Sequence, residues 1–114
     1  MPDKKQTGND FLLAQANNLE NLINYQNGSV VSKNIIGKKT GTVTLFAFDK
    51  EQGLSEHTAP YDAMVYVVDG EAQVTIDSNK IVLKKGDMVI LPANKPHSVT
   101  ALSQYKMLLV MVRS

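Results

Sequence analysis

From Ser29 to the end of the chain, short runs of β-branched, aliphatic and aromatic residues alternate with turn-forming residues at intervals of roughly eight to twelve. No stretch in that region keeps a helical period long enough to compete. The spacing predicts strands over Val30 to Ile36, Gly41 to Asp49, Ala63 to Val68, Ala72 to Asp77, Lys80 to Lys84, Met88 to Leu91, His97 to Leu102 and Tyr105 to Val112. Between them stand Gly37, Gly53, Gly70, Asp77-Ser78-Asn79, Gly86, Pro92 to Pro96 and Ser103, residues that break or turn a chain. The fold class is therefore all-β, a sandwich or barrel. At 114 residues the chain makes one domain, with a core that removes roughly two-thirds of the unfolded surface from water.

Residues 1–28 form an N-terminal extension and 29–114 the barrel. The first nine residues are polar. Asp10 is placed to cap a short helix, because Leu12, Ala16, Leu19 and Ile23 recur on one helical face. Asn17 and Asn18 are poor helix formers, so the alternative is a strand from Leu19 to Tyr25 entering an Asn27-Gly28 hairpin turn.

Charge removes several partners. Twelve Lys and Arg against eleven Asp and Glu give a net charge of +1, too little to gather nucleic acid or an anionic membrane. Lys38-Lys39 and Lys84-Lys85 each abut a glycine and read as solvated turns. A DNA-binding helix pair does not fit in the first 28 residues. The opening residues carry no apolar run of signal-peptide type, and no stretch reaches the length of a membrane span, so the expected location is the cytoplasm. With no cysteine in the sequence, disulfides, thiolate catalysis and thiolate metal sites are excluded.

The segments Ala63 to Val68, Met88 to Leu91 and Lys106 to Val112 are apolar on both faces. In an antiparallel protein such strands need cover from outside the barrel, and the expected cover is a second copy of the chain in a two-fold homodimer.

The sequence has two histidines, His57 and His97, each at the end of a predicted β-segment. His57 lies in the stretch Glu56 to Gly70; His97 closes Gly86 to His97, which runs glycine, five residues, proline, four residues, histidine. Together these stretches resemble the two signature motifs of the cupin superfamily. In the first motif His57 takes the leading histidine position and Gly70 the glycine position, while Ala59 stands where a second histidine belongs and Ala63 where a glutamate belongs. Gly53 lies closer to His57 than the family pattern puts it. In the second motif Gly86, Pro92 and His97 fall in register, Asn94 replaces the middle glycine, and Ala101 takes the place of a frequent asparagine.

The resemblance implies a cupin jelly-roll, a double-stranded β-helix barrel, with a short N-terminal helix or strand added. It also implies a divalent metal, zinc, manganese, iron or nickel, for which His57 and His97 would be the ligands that remain of a three-histidine, one-glutamate set. Asp62 is the candidate for a further ligand. Glu56 neighbours His57 but points to the opposite face of a strand unless a bulge intervenes. Replacing two ligands by alanine exchanges a hydrated centre for an apolar one and opens space. The expected result is a small-molecule pocket walled by Val65, Val67, Leu109, Met107 and Met111, with His57, His97, Asp62 and a tyrosine such as Tyr66 as its polar groups. The chain then reads as a binding or sensing module for a small ligand; the alternative is a cupin enzyme of dioxygenase, isomerase, epimerase or decarboxylase type. The plain reading of each histidine stands beside these: His57 as a rim residue bonded to nearby backbone, His97 as a strand cap.

Overall fold

The computed structural model describes residues 12–113. Among them nine strands run β1 (Val30–Lys38), β2 (Gly41–Phe48), β3 (Gly53–His57), β4 (Ala63–Asp69), β5 (Glu71–Ile76), β6 (Asn79–Lys84), β7 (Met88–Leu91), β8 (His97–Ala101) and β9 (Tyr105–Val112). They form two antiparallel sheets, one in the order β1-β2-β9-β4-β7 and one in the order β3-β8-β5-β6. The two sheets face each other around a buried cluster that includes Phe48, Val65, Val67, Val74, Val99, Tyr105 and Met107. This is the all-β architecture expected from the strand rhythm and the jelly-roll that the resemblance implied.

No predicted strand range covers β3, although His57 is expected at the end of a β-segment. Its sequence, Gly-Leu-Ser-Glu-His, has no β-branched residue, and it becomes a strand because β8 offers it a pairing edge. Gly53 makes that approach possible: a Cβ there would sit 2.1 Å from the Val99 carbonyl oxygen. The β5–β6 hairpin turns on Asp77 and Ser78, both at positive φ (48° and 74°), the backbone that a two-residue hairpin requires.

The extension departs from both expectations. Asp10 lies outside the described residues, and the segment that follows forms a 3-10 turn at Leu19–Asn21 rather than an α-helix or a strand. Its apolar residues still find a partner. Ile23 is buried, with Leu19, Leu22 and Tyr25 packed around it, against Leu45, Ala47, Val68 and Leu108 on the outer face of the larger sheet. Polar contacts fasten this strap: the Tyr25 hydroxyl donates to Asp69 Oδ2 at 2.5 Å, and the buried Lys106 ammonium donates to the Glu20 carbonyl at 2.5 Å while lying 4.9 Å from the Tyr25 ring centre. Asn27-Gly28 is not a hairpin turn. Ser29 N–H donates to the Gln26 carbonyl at 3.1 Å, of the two residues only Gly28 has positive φ, and no strand precedes the turn among the described residues.

The strap therefore covers, within one chain, part of the outer face for which a second subunit was the expected cover. Among the described residues nothing covers the rest of that face. Met64 and Tyr66 on β4, Met88 and Ile90 on β7, and Val110 and Val112 on β9 are cross-strand neighbours or near-neighbours, and Tyr66, Met88, Ile90 and Val112 are exposed.

Candidate functional site

His57 and His97 end up opposite one another, as paired residues of β3 and β8. Their Nε2 atoms lie 3.1 Å apart, and the ring centres are 4.4 Å apart with the planes inclined at 71°. A bulge produces this meeting. Leu54 pairs with Val99 and His57 with His97, so three steps along β3 match two along β8. On a regular strand residues three apart face opposite ways, whereas the extra residue lets Leu54 and His57 line the same space. Glu56 remains exposed.

Both rings are held from behind. His57 Nδ1 lies 2.7 Å from the Ser55 carbonyl oxygen and His97 Nδ1 lies 3.1 Å from that of Lys95. A carbonyl has no hydrogen to give, so each contact assigns a ring hydrogen to Nδ1, and the two Nε2 atoms face each other at hydrogen-bond distance. His97 is buried, at 7% exposure. Burial above all, and a positive charge on His57 in addition, hold its imidazolium below the usual histidine range, with the Lys95 carbonyl acting in the opposite direction.

The pair borders a cavity whose other walls are apolar, among them Ala59, Ala63, Val65, Leu91, Met107 and Met111. Its empty volume is about 390 Å³ counting the open mouth, of which about 30 Å³ is open to the centre of a water-sized molecule. One water needs roughly 10–15 Å³ on the latter measure. The room is thus for a few heavy atoms or one ion. Met107 Sδ accepts a hydrogen bond from the buried Tyr105 hydroxyl at 3.2 Å, and Met111 lies directly across from Ala63 in the β4–β9 ladder.

Of the residues expected in the pocket, Val65, Met107, Leu109 and Met111 line this cavity with the histidines. Three do not. Tyr66 follows Val65 on β4 and so points to the outer face, where it is 37% exposed. Asp62 braces the opposing loop, accepting the Ala93 N–H at 2.8 Å. Val67 is fully buried in the core, outside the cavity wall. Leu54, Leu91 and Val99 are lining residues that sequence reasoning missed. Val99 was legible as the second residue after His97; Leu54 was hidden with β3 itself.

Among the described residues no three His, Asp or Glu side chains come together. A catalytic divalent ion takes at least three protein ligands. The donor set present does not fit a resident ion of that kind.

The family model described as a cupin domain matches residues 44–113. A conserved protein of unknown function from Streptococcus pyogenes has 30% sequence identity and a TM-score of 0.85, over 89% of this chain and 89% of that one. A cupin superfamily protein from Desulfitobacterium hafniense has 27% identity and a TM-score of 0.85, over 89% and 93% of the respective chains. A cupin 2 conserved barrel domain protein from Leptotrichia buccalis has 42% identity and a TM-score of 0.81, over 83% of this chain but 46% of its own length. No curated protein matches the sequence.

Proposed function

We propose that this chain, which belongs to the cupin domain family, is a binding module that holds a ligand of a few heavy atoms, or a single ion, in the cavity between its sheets. One observation carries the reading: the only two histidines of the sequence meet at 3.1 Å on the wall of an otherwise apolar cavity. An apolar recess with a few convergent polar groups is the usual anatomy of a small-ligand site. Binding is preferred to dioxygenase, isomerase, epimerase or decarboxylase chemistry because every other lining residue is apolar. No carboxylate stands there to orient an imidazole as a general base.

The test is a screen of molecules of up to about six heavy atoms, matched to the volume argument, read from the methyl NMR signals of Ala59, Ala63 and Val65. Ligands should shift these signals in the parent and not in His57→Ala or His97→Gln. A screen in which nothing, organic or ionic, moves those methyls defeats the reading.

A second proposal concerns assembly. The bare outer face formed by Met64, Tyr66, Met88, Ile90, Val110 and Val112 carries no charged side chain, so it does not repel its own copy across a two-fold axis. We infer a homodimer through it. Sedimentation equilibrium should give a dimer for the parent and a monomer for Ile90→Lys, whose side chain is 48% exposed in the single chain; a monomeric parent at micromolar concentration would reject it.

A further inference from the structure

The Asn27-Gly28 pair turns no hairpin and does not line the cavity; it stands at the joint between the strap and β1. Asparagine followed by glycine is the pair most open to deamidation, because glycine carries no side chain to obstruct attack of its backbone nitrogen on the asparagine amide. Sterically that route is open here. Asn27 is exposed, and a Cβ built at Gly28 would meet nothing within 4 Å.

The attacking nitrogen, however, is held. Gly28 N–H donates to Asp49 Oδ2 at 2.7 Å. The same turn is framed by Asp49 N–H, which donates to the Ser29 carbonyl at 3.0 Å, and by Ser29 N–H, which donates to the Gln26 carbonyl at 3.1 Å. An amide nitrogen becomes a nucleophile only as it sheds its hydrogen. The negative charge then forming on Gly28 would face the Asp49 carboxylate at hydrogen-bond distance, which disfavours it. Nor does Asp49 serve as a base. The Gly28 N–H above all, then the Gln104 amide and the Lys50 N–H, hold its carboxyl below the usual carboxylate range, too weak to take a hydrogen from an amide.

We infer that Asn27 is a deamidation site gated by the strap: shut while Asp49 holds the Gly28 N–H, open once this turn leaves Asp49, and irreversible after one reaction. In the open turn the Gly28 nitrogen gives its proton to solvent and bonds to Asn27 Cγ. The Cγ–Nδ2 bond breaks, and the nitrogen leaves as ammonia after taking a proton from solvent. Water then opens the five-membered imide at either carbonyl, leaving aspartate or isoaspartate. Both products set a new carboxylate beside Asp49, a like-charge contact, and isoaspartate also lengthens the backbone by one carbon. The turn no longer closes as before. The strap loses its tie at Gly28, and Leu45, Ala47, Val68 and Leu108, on which Ile23 packs, lose part of their cover.

The experiment incubates the purified full chain at mildly alkaline pH, native and in urea, and follows residue 27 by peptide mass spectrometry and isoaspartate-specific methylation. The native parent should react at least about tenfold more slowly than the unfolded one, which corresponds to an open turn in about a tenth of molecules or fewer. Asp49→Ala, shown to be folded by its melting curve, should recover most of that difference when native and match the parent in urea. Asn27→Gln should not react on the same timescale. The modified parent, separated by anion exchange through its extra negative charge, should melt at a lower temperature than the unmodified chain. Its amides over 19–25 should exchange hydrogen faster. A native rate equal to the unfolded one, an Asp49→Ala chain as slow as the parent, or a modified form as stable as the parent overturns the inference. If Asp49→Ala does not fold, hydrogen exchange at the Gly28 amide of the parent decides instead: protection supports the gate, and exchange at the unfolded rate overturns it.

Discussion

Asn94 holds a backbone conformation that most side chains avoid, with φ at +66°, and asparagine is the residue that best stands in for glycine there. Its N–H donates to the Ala59 carbonyl at 2.7 Å, which ties the loop before His97 to the loop after His57. That bond helps bring Ala59 to the wall of the cavity that Ala63, His57 and His97 also line. Two alanines thus stand where side chains of greater length would converge with the imidazoles. The double variant Ala59→His/Ala63→Glu should therefore gain zinc or manganese binding at least about tenfold tighter than the parent, because it raises the donors from two to four, above the three that a catalytic ion needs. Titration calorimetry on metal-free protein checks this, and no gain would mean that the two positions do not converge. These two positions were marked in the sequence by the resemblance of the stretch around His57 to the cupin motif. The tautomer was not, since it depends on carbonyls that only the folded backbone aims at the rings.

At the scale of elements, the strands that the sequence makes plain are those whose side chains carry the signal. β1, β2 and β4 to β9 alternate with clear turn residues; β3 is a strand only by virtue of its neighbour, and Leu54 was invisible as a cavity residue for the same reason. The β3 bulge was open as a possibility for Glu56 but acts on His57 instead. Deleting Glu56 should give Leu54 and His57 an even separation, and a regular strand then keeps both facing inward. The expected outcome is a folded protein whose His57 and His97 rings still show mutual NOE contacts; rings driven apart would mean that the extra residue does not set the aim. The strap illustrates a different limit. Its apolar residues recur at helical spacing, yet what they pack on is a sheet, and packing on that face decides their conformation. Ile23 is 5% exposed, so Ile23→Ala should cost about 2–4 kcal/mol in urea unfolding. A change under about 0.5 kcal/mol, the range of ordinary surface substitutions, would show that the strap is not part of the cooperative fold.

For the whole molecule, groups on opposite sides of the larger sheet set the pH range of stability. Burial alone raises the Tyr105 phenol, which has no exposed surface. Burial first, and then the hydrogen bond and negative charge of Asp69, raise that of Tyr25 in the strap. The fold keeps both phenols neutral, whereas the unfolded chain ionises them near a pH of about 10. Below that pH their contribution is fully present; as pH climbs past it the unfolded state sheds protons that the native state retains, and stability falls by up to about 1.4 kcal/mol per pH unit for the enclosed Tyr105 phenol and by less for Tyr25, which solvent partly screens. His97 acts at the other end. Its imidazolium is disfavoured in the fold, so its contribution is present at neutral pH and drains away as pH drops below about 6.5, where the unfolded chain takes up the proton first. Stability should therefore form a plateau between these limits. Unfolding in urea across pH 5 to 11 tests the scheme with variants that remove one limb at a time: Tyr25→Phe and Tyr105→Phe should each flatten the alkaline slope and leave the acid side alone, while His97→Gln should flatten the acid side only. An alkaline slope unchanged in the double tyrosine variant would show that other groups, not the two phenols locked on either side of the sheet, limit the fold at high pH.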